Sequence, residues 1–392
     1  MKFILIFWSF DCNFYFRVVG FLSFFQYPSF IIRDPELYKK IAIRDFNNFV
    51  NRDNKHDIKR DLFLDKSVLL VRDEKWKEVR SILSPMFSSL KMKYMFGLLT
   101  ESVENFIRIY DKKIKDNGGE LELETRDVFV RLTCDGIATA CLGLKSDCTE
   151  NENSELYKIC EEMAEGFSTA SIPLVYPKFL SYFGVQIFTK KVHEFFESTV
   201  TEQLRKRRET GFVRTDIIQL MLQAKNGIDL TDDEMVAQSL VFFLAGFDAT
   251  ASIMQALSFE FAKNPEIQQT LIDEVDEMVS KLDGRKISYE ELNSMKYLEM
   301  CVYEALRKWP QIRFHSRCAK KDYDLVDDET GAKYRIDKDT TIFFHLLAIQ
   351  RDPKYFPNPK KFDPTRFVNG AKNVPFFSFG IGPRNCVGWR FG

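Results

Sequence analysis

The chain has 392 residues, 45% of them hydrophobic, and a formal net charge of −1 at pH 7. This length suits one large domain or two, and the near-zero charge excludes a global field directed at nucleic acid or an anionic surface. Eight scattered cysteines without a C-x-x-C pair exclude a disulfide scaffold and fit reduced thiols in a cytosol-facing protein. Four widely spaced histidines argue against a zinc cluster.

The N-terminal 27 residues are strongly apolar. Residues 3–10 and 18–25 form two apolar runs, and each is shorter than a bilayer span requires. No cleavage site marks a signal peptide. Residues 1–27 are therefore predicted to be an apolar segment that either contacts a membrane surface or forms a buried strand.

One long helix is well marked among the elements that follow. Residues 27–33 predict a strand that ends in a turn at Asp34-Pro35, and a short helix follows the turn. Helical patterns dominate from Asp73 to Pro310. Thr231 and Glu234 form a capping box, and the pattern they start continues for some 33 residues, about 50 Å. Because residues 240–245 are apolar almost all round, we expect this helix to run through the middle of the protein.

The last third of the chain changes from helix to strand. Ser288 and Glu291 predict a second capping box, ahead of a helix that stops before Pro310. Strands are expected at 334–336 and 341–346, before a proline-rich stretch. The predicted fold class is mainly α with a small β part.

A thiolate motif stands near the C-terminus, at residues 379–388. Cys386 lies on a glycine-rich loop, with Arg384 two residues before it and Phe379 seven before it. A Cys thiolate on haem iron favours O–O bond cleavage, and a cation or hydrogen bonds must hold its charge at neutral pH. The loop glycines can adopt positive φ and allow close approach to a flat ligand; they are Gly380, Gly382 and Gly388.

Two further motifs precede this loop in a fixed order. Glu304-x-x-Arg307 lies on a predicted helix, and Pro-x-Arg366-Phe follows it. Each is weak by itself, because residues three apart on a helix often form an ordinary surface pair. A buried Glu304, however, would need cations or donors, which Arg307 and Arg366 can supply.

With these motifs, the chain resembles a cytochrome P-450, a haem-thiolate monooxygenase, over roughly residues 28–388. Trp76-x-x-x-Arg80 matches the family's W-x-x-x-R helix, and residues 245–248 match its distal helix. Residues 33–37 and 84–96 resemble the insect microsomal branch, which includes many detoxification enzymes. The resemblance implies the P-450 fold, with haem between a long central distal helix and a proximal Cys loop. Residues 28–392 are expected to form one such domain, truncated after the haem-binding loop.

The resemblance also implies roles for individual residues. Cys386 becomes the proximal iron ligand of haem b, and Phe379 and Gly380 lie beside the thiolate. The propionates need charge-assisted donors, which are expected to be Arg384, Trp76, Arg80 and Arg317. Glu304, Arg307 and Arg366 form a structural lock and are not catalytic.

The distal helix departs from the family pattern at one position. Ala245 and Gly246 are expected beside the haem, with Gly246 leaving room for oxygen and substrate. The family usually follows the acid with Thr, to deliver protons; here Asp248 is followed by Ala249. Thr250 lies about 100° further round the helix. It either serves the relay or bonds to a carbonyl four residues back, and loss of the usual Thr predicts release of peroxide in place of product.

The implied reaction inserts one O2-derived oxygen atom into an apolar small molecule, either a xenobiotic or an endogenous lipid or hormone. Electrons would come from NADPH through NADPH-cytochrome P-450 reductase, with cytochrome b5 as a second candidate partner and no nucleic acid. Substrate is expected to contact segments before Asp73, residues 167–188, the distal helix and residues 312–315. The implied location is the cytosolic face of the endoplasmic reticulum membrane, as a peripheral microsomal protein. Two alternatives stay open: a haem-thiolate isomerase or dehydratase, and an inactive truncated product that binds haem poorly.

Overall fold

The computed structural model describes residues 16–23, 27–52, 61–169, 186–224 and 230–391. The first apolar run and residues 170–185 of the expected substrate region lie outside the described residues. The described chain divides into two units. The first joins the residues up to 52 to residues 259–386, and the second joins residues 61–258 to residues 387–391.

Helices dominate the chain, as the sequence predicts. In chain order they are α1 Pro35–Lys39, α2 Asp73–Leu83, α3 Ser89–Asp116, α4 Thr125–Ile137, α5 Glu155–Thr169, α6 Lys190–Thr210, α7 Ile217–Leu222, α8 Asp232–Lys263, α9 Pro265–Leu282, α10 Tyr289–Ser294, α11 Lys296–Lys308 and α12 Leu346–Gln350. The strands are β1 Val18–Ser23, β2 Tyr27–Ile32, β3 Phe314–Cys318, β4 Tyr323–Val326, β5 Lys333–Ile336 and β6 Thr341–His345. The mainly α class with a small β part is confirmed.

The first unit is built on a four-stranded sheet in the order β1-β2-β6-β3. β2 pairs with β6 in parallel, while β1–β2 and β3–β6 are antiparallel. Residues 18–23 of the second apolar run therefore form a strand, one of the two interpretations that the sequence left open. The Asp34 carboxylate accepts the Leu37 amide at 2.9 Å and caps α1, as the turn at Asp34-Pro35 predicts.

One expected helix is two helices. The Ser288–Glu291 capping box is present, but α10 ends at Ser294 and Met295 has an extended backbone with ψ 94°. The reason is a second cap: the Glu274 carboxylate on α9 accepts the amide of Tyr297 at 2.8 Å. This contact starts α11 afresh, because the carboxylate satisfies backbone donors that have no partner in the first turn of a helix.

The long helix α8 begins where its capping box predicts. The Thr231 hydroxyl accepts the Glu234 amide at 3.2 Å, and the Glu234 carboxylate accepts the Thr231 amide at 2.9 Å. The helix runs for 32 residues. Among the described residues it alone is long and apolar enough to cross a membrane, a test that a buried core helix also passes. In the second unit its apolar face is buried, with Leu240 and Phe243 fully inaccessible.

Candidate functional site

Cys386 differs from the other described cysteines in its surroundings. It is exposed, whereas the six others that the structure describes are buried. Its amide donates to the Phe379 carbonyl at 2.7 Å, which closes the loop. Gly380 and Gly382 turn the chain with φ of 71° and 74°. The loop therefore presents one thiol outward on a hydrogen-bonded turn.

Glycine suits the three loop positions for different structural reasons. A Cβ on Gly382 would lie 2.1 Å from the Ala42 carbonyl oxygen, and one on Gly380 would lie 3.1 Å from Cε1 of His315. Gly388, expected to share their positive φ, does not adopt it. Instead it packs near Phe87, whose ring carbon lies 3.5 Å from its Cβ position. Within this loop, positive φ is thus confined to Gly380 and Gly382, which lie against residues of the first unit.

Arg317 is a buried cation on β3. It is 1% exposed, and its Nη1 donates to the Ser316 carbonyl at 2.7 Å. Within the described part of the chain no carboxylate pairs with it, and its Nε has no acceptor. Burial lowers its pKa, because a charge in a poorly solvated place lacks compensation. A guanidinium in these surroundings suits a carboxylate ligand such as a porphyrin propionate.

His315, two residues before this arginine, is in contact with the phenol of Tyr38. The Tyr38 hydroxyl lies 2.7 Å from Nδ1 of His315. Burial lowers the pKa of His315 to about 3, and the cations Arg52 and Arg317 push it the same way. Burial also raises the pKa of Tyr38 to about 12. Both groups are therefore neutral at pH 7.

The other expected propionate donors lie on two elements. Arg384 is buried on the Cys386 loop, in the same unit as Arg317. Trp76 is buried on α2 of the second unit. Arg80 is half-buried on the same helix and, four residues further on, shares its face with Trp76. The chemistry of Arg317 and Arg384, together with the exposed thiol of the same unit, fits a haem.

Along α8, residues 245–250 comprise four small residues, one acid and the buried Phe247. Ala245 is exposed. Gly246 faces α4, because a Cβ there would lie 2.5 Å from Cδ1 of Ile137. Its missing side chain thus lets two helices approach, and the room on the exposed face comes from Ala245. The Thr250 hydroxyl makes no hydrogen bond to any residue that the structure describes, so the bond to a carbonyl four residues back is absent.

Asp248 is tied to an arginine that the motifs did not reveal. Nη2 of Arg126, on α4, donates to Asp248 Oδ1 at 3.0 Å. Both side chains are partly exposed, with 45% of Arg126 and 30% of Asp248 accessible. The acid is therefore in an ion pair and in contact with water at the same time.

The expected lock is formed by two fully buried side chains, Glu304 and Arg307, and by the partly buried Arg366. Arg307 Nε and Nη2 donate to Glu304 at 2.6 and 2.8 Å, a bidentate pair with both side chains fully buried. Arg366 adds an ion pair to Glu304 at 3.4 Å. Arg307 also donates to the carbonyls of Gln350 and Pro359. The lock therefore ties α11 to the loops that lead to the Cys386 loop.

The sequence motifs do not reveal Tyr38 or Arg126, and they do not single out His315. Tyr38 and His315 are 277 residues apart, and Arg126 and Asp248 are 122 apart, so no local pattern joins them. One signal was available for His315: it stands two residues before Arg317 on a strand. Alternate residues of a strand share a face.

Known proteins resemble the chain over most of its length. The family model for cytochrome P450 matches residues 13–392. Cytochrome P450 9e2 of Blattella germanica is 33% identical over 420 residues, which cover 97% of this chain and 78% of the relative. Cytochrome P450 9b2 of Drosophila melanogaster is 33% identical (96% and 76% covered), and cytochrome P450 6A1 of Musca domestica is 31% identical (93% and 74%). The chain therefore belongs to the cytochrome P450 family and is a haem-dependent monooxygenase of the insect type.

Proposed function

We propose that the chain oxidises an apolar small molecule, a xenobiotic or an endogenous lipid or hormone, with Cys386 as the proximal ligand of haem b. The observation that carries the proposal is the exposed Cys386 thiol in the unit that also holds the buried Arg317 cation. When bound, a thiolate-ligated haem supplies the capacity to activate dioxygen. The protein's own residues must bind that group, limit water and move protons.

The haem-binding residues are proposed to form two groups: donors for the haem carboxylates, and residues that lie beside the thiolate. Arg317 and Arg384, both buried in the first unit, supply donors for porphyrin carboxylates. Trp76 and Arg80 are proposed as further donors because the family's W-x-x-x-R motif implies that role. Phe379 and Gly380 form the wall beside the thiolate. Water that reaches a thiolate changes its electron donation, so this wall tunes the site.

Proton movement is proposed to begin at Asp248. Its ion pair with Arg126 keeps the carboxylate in place, and its partial exposure lets protons arrive from solvent. Because Ala249 carries no hydroxyl, the next carrier is Thr250 or an ordered water. Ala245 supports the same proposal, because its small exposed side chain leaves space on that part of α8.

The electron source and location are proposed from the family. NADPH-cytochrome P-450 reductase, and cytochrome b5 as a second donor, would reach the protein at the cytosolic face of the endoplasmic reticulum membrane. The resemblance of residues 33–37 and 84–96 to microsomal insect members supports this placement. The apolar residues of the N-terminal segment suit contact with the membrane surface.

A carbon monoxide spectrum tests the site directly. The chain is expressed with a haem precursor, reduced and exposed to carbon monoxide; we expect a Soret band shifted far to the red, as for thiolate-ligated iron. Cys386→Ser abolishes this shift, whereas Cys301→Ser, a matched change at a buried thiol, retains it. An unshifted band in the unmodified protein refutes the proposed ligand. Product formation that ignores reductase and NADPH refutes the monooxygenase reaction and favours an isomerase.

A further inference from the structure

Three polar side chains lie on one face of the first unit's sheet. His315 and Arg317 are alternate residues of β3, so their side chains project from the same face. Phe344 on β6 is the register partner of His315. The Tyr38 ring stacks on Phe344 at 4.2 Å between centroids, which places the phenol over that face.

The Tyr38 phenol determines which ring nitrogen of His315 carries the proton. The Tyr38 oxygen lies 2.7 Å from Nδ1 of His315. Since a buried hydroxyl needs an acceptor, the phenol is assigned as the donor of this bond. A neutral imidazole that accepts at Nδ1 carries its hydrogen on Nε2. That Nε2–H makes no hydrogen bond to any described residue, and the ring is only partly buried. His315 thus presents a donor beside the Arg317 guanidinium.

We propose that His315, oriented by Tyr38, donates from Nε2 to the same haem propionate that Arg317 binds. This inference rests on the proposed haem site. A carboxylate has two oxygens and about four acceptor positions, so one oxygen can take the Arg317 Nε–H and the other the imidazole N–H. Both bonds are charge-assisted, because the acceptor is an anion.

A neutral donor suits this position better than a further cation would. Arg317 is fully buried and Arg52 acts on the same cluster, so the site already carries positive charge. An additional buried charge would need its own compensation. The Nε2–H strengthens the hold on the carboxylate without adding charge. His315 also touches the Cys386 loop at Gly380, so the same side chain links propionate and ligand loop.

The test is the rate at which haem leaves the loaded protein for excess apomyoglobin. His315→Leu removes the donor at similar volume, and we expect haem loss to be about tenfold faster, as for one hydrogen bond to a charged group. His315→Gln keeps an N–H at a similar reach and should restore retention to within about threefold of the unmodified protein. Tyr38→Phe keeps the ring stack, frees the imidazole to rotate, and should raise the rate about threefold.

Ser316→Ala is the matched control, since it lies on the opposite face of the same strand. It should leave haem loss unchanged. Equal rates for His315→Leu and the unmodified protein overturn the inference, as do equally fast rates for His315→Leu and His315→Gln, because packing alone would then explain the loss. If the unmodified protein shows no red-shifted carbon monoxide band, the proposed function itself is refuted, before the role of His315 is tested. If His315→Leu does not fold, Tyr38→Phe still tests the inference. An unchanged rate of haem loss in Tyr38→Phe refutes the proposal that Tyr38 orients His315.

Discussion

The Glu304–Arg307 pair allows a quantitative prediction about stability. Arg307 is 0% exposed and donates five hydrogen bonds, two to Glu304 and one each to the carbonyls of Gln350, Pro359 and Lys361. Arg307→Lys keeps the charge but offers three donors, so at least two buried acceptors lose their partner. Each unsatisfied buried group costs roughly 1–3 kcal/mol, and we expect the free energy of unfolding to fall by about 3–5 kcal/mol.

Arg366→Lys is the matched control for this prediction. Arg366 is 12% exposed, pairs with Glu304 at 3.4 Å and donates to the Asn358 carbonyl at 3.0 Å. Its replacement should lower the free energy of unfolding by only about 1 kcal/mol. Urea unfolding followed by far-ultraviolet circular dichroism measures both changes. Equal losses in the two variants, or a loss below about 1 kcal/mol for Arg307→Lys, would show that the hydrogen-bond count does not govern stability here.

Three further predictions concern the loop and the distal helix. Ala249→Thr should raise the fraction of NADPH consumption that yields product, measured against peroxide released; an unchanged fraction shows that Thr250 or water already serves the relay. Gly382→Ala should lower the unfolding midpoint and haem content sharply, because its Cβ would lie 2.1 Å from a carbonyl oxygen. Gly284→Ala is the control, because Gly284 has a similar φ of 78° with open space around it. This variant should show only backbone strain of roughly 1–3 kcal/mol, and equal losses of stability in the two variants would contradict the steric argument. Cys386→Ser should remove the red-shifted carbon monoxide band while far-ultraviolet dichroism stays unchanged; a retained band excludes Cys386 as the ligand.

Local chemistry explains which elements the sequence could predict. The capping boxes at Thr231 and Ser288 are present, because a hydroxyl and a carboxylate three residues apart satisfy each other's backbone donors without help from the rest of the fold. The break at Met295 was missed, since it depends on Glu274 from another helix. Strand β6 also ends one residue earlier than the sequence predicts, because Leu346 begins a helix that is capped locally by His345.

For the candidate site, the order of motifs predicted the lock but not the polar pairs. Glu304 and Arg307 are close in sequence, and their short spacing on a helix already places them together. Tyr38 and His315 meet only because α1 packs on the sheet, which brings together residues 277 positions apart. Arg126 reaches Asp248 only because α4 lies beside α8, where Gly246 allows close approach. Such contacts depend on tertiary packing, which periodicity does not report.

The parallel pairing of β2 with β6 also bears on how the protein is made. Ile32 must pair with Phe344, more than 300 residues later in the chain. At roughly 5–20 residues per second, a ribosome needs on the order of 15–60 s to deliver β6 after β2. During that interval the β1–β2 hairpin has an unpaired edge, which can bind other chains. The second unit is almost continuous in sequence, so it can fold first. Chaperones that shield the hairpin during translation should therefore set the yield of active protein.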